Sequence, residues 1–240
     1  MFSLCCRTYR KIDAKSTLDF RCVCVYTVRM KPRSKTKAFR VWFVGAHAVG
    51  KSTLAELTAR NYNLPYISEQ ARIVLAERLQ PDFDRLRLDV AETSRYQKEV
   101  MRRQIATEQQ LLKTGYVSDR AFDNLAYAAK HAEGVAAIAQ LPETRRYIRD
   151  LCQTVRQRRG VVFFVRPLPS FSADGMRAQG DLHLAGVHAI DGMVQLLLEL
   201  GDGRGPVPYV PVETACPKMR QRLVEEVLAP YLGRRKAVTR

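Results

Sequence analysis

The stretch Arg40 to Thr53, RVWFVGAHAVGKST, joins a short apolar run to a loop punctuated by glycines and a Lys-Ser-Thr that opens a helix. Gly45, Gly50, Lys51 and Ser52 fall on the fixed positions of the phosphate-loop pattern G-x-x-x-x-G-K-[ST]. Two glycines let the backbone curl until successive N–H groups point inward at one anion, and the helix that follows turns its positive end toward the same point. A loop of this kind suits a polyphosphate, which Gly45, Ala46, His47, Ala48, Val49, Gly50, Lys51, Ser52 and Thr53 would enclose together. Lys51 is expected to reach the β- and γ-phosphates as a point charge, and the Ser52 hydroxyl to hold Mg²⁺. His47 would contribute backbone rather than imidazole chemistry, and Thr53 is expected to pack the helix start.

The surroundings agree with the motif. Val41, Trp42, Phe43 and Val44 read as a buried parallel strand, and Leu54 and Leu57 lie on one face of the following helix. That is the strand, loop and helix order the motif requires.

The 240 residues can bury one good core of the α/β type, and 46% hydrophobic content with mixed charge fits a globular protein. No run approaches the roughly 18 uncharged apolar residues of a membrane span, so no membrane partner is expected and the chain reads as cytoplasmic. The formal charge of +16 would ordinarily point to nucleic acid. Residues 1–40, however, hold eleven Lys or Arg against two Asp, a net of +9 that leaves +7 for the other two hundred. Nucleic acid is therefore the less favoured partner, and a phosphorylated small ligand the favoured one. Cys5, Cys6, Cys22 and Cys24 lie in the same basic segment, but C-C and C-x-C lack the spacing of zinc ligands, so free thiols are expected. Residues 1–38 read as a disordered basic extension, 39–233 as the folded domain, and 234–240 as a basic tail. The break in composition suggests that Met30 is the true start, with a targeting presequence as the rival reading.

Past the first helix, Leu64 to Ser68 reads as a second strand and Glu69 as the residue at its carboxyl end, before a helix over Ala71 to Leu79. In open parallel sheets that edge is where ligands bind, so Glu69 and Arg72 are candidates to face an acceptor. A long amphipathic helix spans about Leu88 to Leu112, and Gly115 to Ser118 forms a third strand ending in Asp119-Arg120, with Asp123 opening the next helix. A carboxylate at a strand tip beside the phosphate loop can hold a Mg²⁺-bound water or accept a hydroxyl proton, and Arg120 can clamp a phosphate. Glu143 to Gln157 is a basic helix, and Val161 to Val165 a fourth strand. Leu168 to Asp181 is an irregular segment in which Arg177, beside Asp174-Gly175, suits a lid that brings charge to the transition state. A helix through Val187, Val194 and Leu198, a proline-broken edge strand over Val207 to Val212, and a closing helix with Met219, Leu223, Val227, Tyr231 and Leu232 on its inner stripe complete the chain.

The order of these segments, GAHAVGKSTLAEL, SEQARIV, VSDRAFDNLAYA and RPLPSFSADGMRAQGD, resembles the AAA-type domain of NadR-like ribosylnicotinamide kinases and related phage and bacterial kinase-like ATPases. The resemblance spans about Ala38 to Leu232. It implies a P-loop nucleoside-kinase fold with a five-stranded parallel sheet in the order 2-3-1-4-5, ATP and Mg²⁺ as cofactors, and a small nucleoside or nucleotide hydroxyl as acceptor. It also implies roles: Gly45 to Thr53 on the phosphates, Glu69, Arg72 and Asp123 toward the acceptor, Ser52 and Asp119 on the metal, Arg120 beside phosphate, and Arg177 in the lid. Either Glu69 or Asp119 is expected to take the acceptor proton. A slow nucleotide-hydrolysing switch and a polynucleotide 5′-end kinase are the alternatives. There is no N-K-x-D element for guanine and no D-E pair ending an apolar strand, which speaks against a GTPase and a ring-forming ATPase.

Overall fold

The computed structural model describes residues 38–77, 86, 88–131, 138–167 and 184–233, all within one compact unit. In chain order these form β1 (Arg40–Val44), α1 (Lys51–Tyr62), β2 (Tyr66–Ile67), α2 (Gln70–Ala76), α3 (Val90–Gln110), β3 (Tyr116–Ser118), α4 (Asn124–His131), α5 (Pro142–Arg156), β4 (Gly160–Val165), α6 (Leu184–Leu200), β5 (Tyr209–Val212) and α7 (Pro217–Leu232). The strands make one sheet in the order β2-β3-β1-β4-β5, and every pairing is parallel. The expected order is thus the observed one. The proline-interrupted strand lies at an edge, where a missing N–H costs no ladder bond.

β1 occupies the centre because its residues can be buried on both faces, as central parallel strands require. Alternation sends Phe39, Val41 and Phe43 one way, with Phe39 stacked on Tyr231 of α7 and Phe43 on Phe163 of β4. Trp42 points the other way, into a polar pin under α3. There its indole N–H, the Tyr116 and Tyr147 hydroxyls and the Gln104 amide all donate to the buried Glu108 carboxylate. Burial raises the Glu108 pKa, and the four donors oppose that shift by satisfying all its lone-pair sites. α1 packs on α7, while α3 contacts α4 and α5 and α4 contacts α6, so helices cover both faces.

Three expected features shift. The second strand shrinks to Tyr66–Ile67, because Pro65 has no N–H to give a ladder and Glu69 already caps α2. Thr53 is exposed rather than packed at the start of α1. In α7 the inward stripe is Arg220, Val224 and Leu228, one position round from the expected one, with Leu223, Val227, Tyr231 and Leu232 flanking it. Met219 is 51% exposed. An apolar count along this helix passes over Arg220, the residue that sets the true face. No described helix is long and apolar enough to cross a membrane.

Candidate functional site

The carboxyl ends of β1 and β3 meet at the phosphate loop. β1 delivers the chain into Gly45, whose φ of +141° leaves the region open to side-chain-bearing residues. A Cβ there would stand 2.3 Å from the Val165 carbonyl oxygen, so the loop leaves the sheet by running against β4. Ala48 (φ +56°) and Gly50 (φ +86°) complete the curl, and Gly50, having no side chain, is the N-cap of α1 without a side-chain cap bond. Among the described residues no side chain caps this helix start, the end of a helix that suits an anion.

Lys51 is 5% exposed and its ammonium donates back to the Ala46 carbonyl. Burial first, then the nearby Arg120 charge, pull Lys51 from the ordinary 10.5 to about 8, against the opposing pull of Asp119, Glu69 and Asp123. Next to it, Ser52 Oγ donates to Asp119 Oδ2 at 2.5 Å. Asp119 is positioned by its own N–H, which donates to the Ile67 carbonyl at 2.9 Å and ties β3 to β2. Its other oxygen, Oδ1, is buried with no hydrogen-bond partner among the described residues. Burial raises the Asp119 pKa, with Lys51 opposing.

Arg120 takes a form the linear sequence does not suggest. It is buried with a φ of +145°, a costly conformation for a residue with a side chain and one that concentrates at functional sites. Its guanidinium donates to Glu69 Oε1 at 2.7 Å, to Asp123 Oδ2 at 3.3 Å and to the Gly45 carbonyl at 3.4 Å, and lies 4.4 Å from the centre of the Tyr127 ring. Glu69 Oε2 in turn accepts from Arg72 at 3.0 Å. Burial pushes the Glu69 carboxyl up, but the Arg120 and Lys51 charges outweigh it and hold it down at about 2.

Asp123, expected to face an acceptor, is fully buried instead. It accepts from the Ala121 N–H at 2.6 Å and the Gly45 N–H at 3.4 Å, besides Arg120, so it braces the phosphate loop from behind. Glu69, Arg72, Asp119, Arg120 and the loop are thus brought together as expected; Arg177 lies outside the described residues. Three further side chains belong to the arrangement and were not singled out from the sequence. Gln104 on α3 donates to Ser118 Oγ and the Arg120 carbonyl, Tyr127 carries the Arg120 guanidinium, and Arg220 reaches the back of the loop. Tyr127 stood in the quoted run after Asp119 and could have been found; Gln104 and Arg220 lie on helices distant in sequence with no motif to mark them.

The donor set fits Mg²⁺. This ion takes one or two protein oxygens and completes its octahedron with phosphates and water, which is what the Ser52 hydroxyl and the Asp119 carboxylate offer. Among the described residues no cluster of three or more acidic, His or Cys side chains could cage a metal alone.

A family model described as an AAA domain matches residues 40–190. Among solved structures, a NadR protein in complex with NR is similar over 85% of this chain and 54% of its own, at 17% identity and a TM-score of 0.63. A NadR protein in complex with NAD and AMP-PNP is similar over 85% and 52%, at 15% identity and a TM-score of 0.54. The chain therefore spans about half the length of these NadR structures. No curated protein matches the sequence. With the phosphate loop, sheet order and matched span in agreement, the chain belongs to this AAA domain family, on the P-loop kinase fold of NadR.

Proposed function

We propose that this protein is a small-molecule kinase that passes the γ-phosphoryl group of ATP to a hydroxyl of a nucleoside or nucleotide. The observation that carries the reading is the Ser52–Asp119 hydrogen bond beside Lys51, at the tips of two neighbouring strands. It sets a metal-binding hydroxyl, a carboxylate and a phosphate-seeking ammonium around one point. The NadR neighbour's ligand NR makes nicotinamide riboside the first acceptor to test.

In the reaction an acceptor oxygen forms a bond to Pγ as the bond from Pγ to the β–γ bridging oxygen breaks, and ADP leaves. Loop amides and Lys51 hold the polyphosphate in line, and most of the rate comes from that positioning and from charge neutralisation. Mg²⁺, held by Ser52 and Asp119, would neutralise charge on the phosphate oxygens. Both oxygens of Glu69 are engaged by guanidinium groups and its pKa is about 2, which makes it a poor base. Asp119, whose Oδ2 is turned to Ser52 and the metal position, has Oδ1 without a partner among the described residues and is the better placed of the two for the hydroxyl proton. Glu69 then serves to hold Arg120 and Arg72 at the acceptor side.

The test is transfer of labelled γ-phosphate from Mg·ATP to a panel of nucleosides and nucleotides. Acceptor-dependent product is expected, with Lys51→Ala slower by on the order of 10²–10³-fold. Hydrolysis that no acceptor stimulates would assign the site to a switch ATPase, and wild-type turnover by Lys51→Ala would remove the loop from catalysis.

A further inference from the structure

Arg220, in the first turn of α7, is 4% exposed. Each nitrogen of its guanidinium donates to a backbone carbonyl: Nη1 to Val49 at 2.5 Å, Nε to Thr214 at 2.6 Å and Nη2 to Arg166 at 3.1 Å. These carbonyls belong to the phosphate loop, the turn between β5 and α7, and the residue after β4. Among the described residues Arg220 has no carboxylate partner, so a whole positive charge sits behind the loop, held there by three charge-assisted hydrogen bonds. Nη1 lies 3.7 Å from where a Cβ on Gly50 would stand.

The direction of one peptide follows. Among the described residues no peptide bond is cis, and in a trans peptide the C=O and the next N–H point opposite ways. A hydrogen bond that draws the Val49 carbonyl toward α7 turns the Gly50 N–H away from α7. Glycine at φ +86° occupies that conformation freely and leaves it as freely, so the loop residues alone do not hold this peptide in one orientation.

We infer that Arg220 is a positioning residue for the polyphosphate: by fixing the Val49–Gly50 peptide it presents the Gly50 N–H to phosphate oxygens, and its charge draws the anion from behind. The inference rests on the nucleotide reading above and adds to it a residue outside the phosphate-loop motif. The experiment titrates Mg·ADP into the wild type, Arg220→Met and Arg220→Lys, by calorimetry and by the resonances of ¹⁵N-labelled glycines. In the wild type the Gly50 amide proton is expected to move downfield on saturation. In Arg220→Met the affinity should fall on the order of ten- to a hundredfold and the Gly50 shift should shrink, while the Gly192 resonance on α6 stays in place. Arg220→Lys, with charge but one donor group, should fall between. A wild-type Gly50 shift or an unchanged affinity in Arg220→Met overturns the inference. Should Arg220→Met not fold, Arg220→Lys decides by the same two readouts. Absence of Mg·ADP binding by the wild type would instead overturn the nucleotide reading, and this inference with it.

Discussion

Lys51 shows how the site is tuned before any ligand arrives. Buried beside Arg120, its ammonium is pulled to about 8. Polyphosphate charge acts in the opposite sense and raises it. The nucleotide-bound state therefore binds a proton that the free state has partly lost above pH 8, and binding must take that proton up. Mg·ATP affinity is expected to be flat below about pH 7 and to fall up to about tenfold per pH unit above 8. Calorimetry in buffers of different ionisation heat measures the uptake directly, and an affinity that rises with pH would contradict it. Residues at this scale were legible where chemistry and spacing coincide. Lys51, Ser52 and Asp119 stand where the motif and the strand tip put them. Asp123 was not legible in its role, because a carboxylate that braces a backbone N–H and one that binds a ligand look the same until burial is known. Arg120 reads from sequence as a phosphate clamp, and its engagement by two carboxylates depends in part on Glu69, fifty-one positions away in sequence.

Elements were easier to read than roles, for a physical reason. β1 and β4 are unbroken apolar runs buried on both faces and α6 carries an apolar stripe, patterns that burial against a sheet rewards directly. The failures fall where a polar residue is the buried one. Arg220 set the inner face of α7, and no hydrophobic pattern could announce an arginine whose partners are carbonyls of three other segments. The junction between β1 and the loop supplies the element-scale prediction. Gly45→Ala would force a Cβ onto the Val165 carbonyl and strain a φ of +141°. It is expected to lower stability by about 2–4 kcal/mol and to weaken nucleotide binding, as the loop must leave the sheet by another path. Chemical denaturation together with ADP titration checks both, and a variant with wild-type stability would show that the loop yields cheaply.

At the scale of the whole molecule, the parallel sheet order puts β3 beside β1, and that adjacency turns two separate sequence signals into one site. Fold class was legible because strands and helices alternate with connections long enough for crossovers, and only a few sheet orders accommodate them. The +16 charge was the more ambiguous signal, since it sums a basic first segment with a domain whose buried cations face carboxylates and carbonyls. The charges around the loop suit a ligand rich in negative charge, and the central proposal is that this ligand is a nucleotide polyphosphate. Calorimetric titration of Mg·ATP into the full chain tests it most directly. A saturable, one-to-one heat with a dissociation constant below a millimolar, abolished in Lys51→Ala, is the result predicted; no heat from the wild type at millimolar Mg·ATP would contradict it.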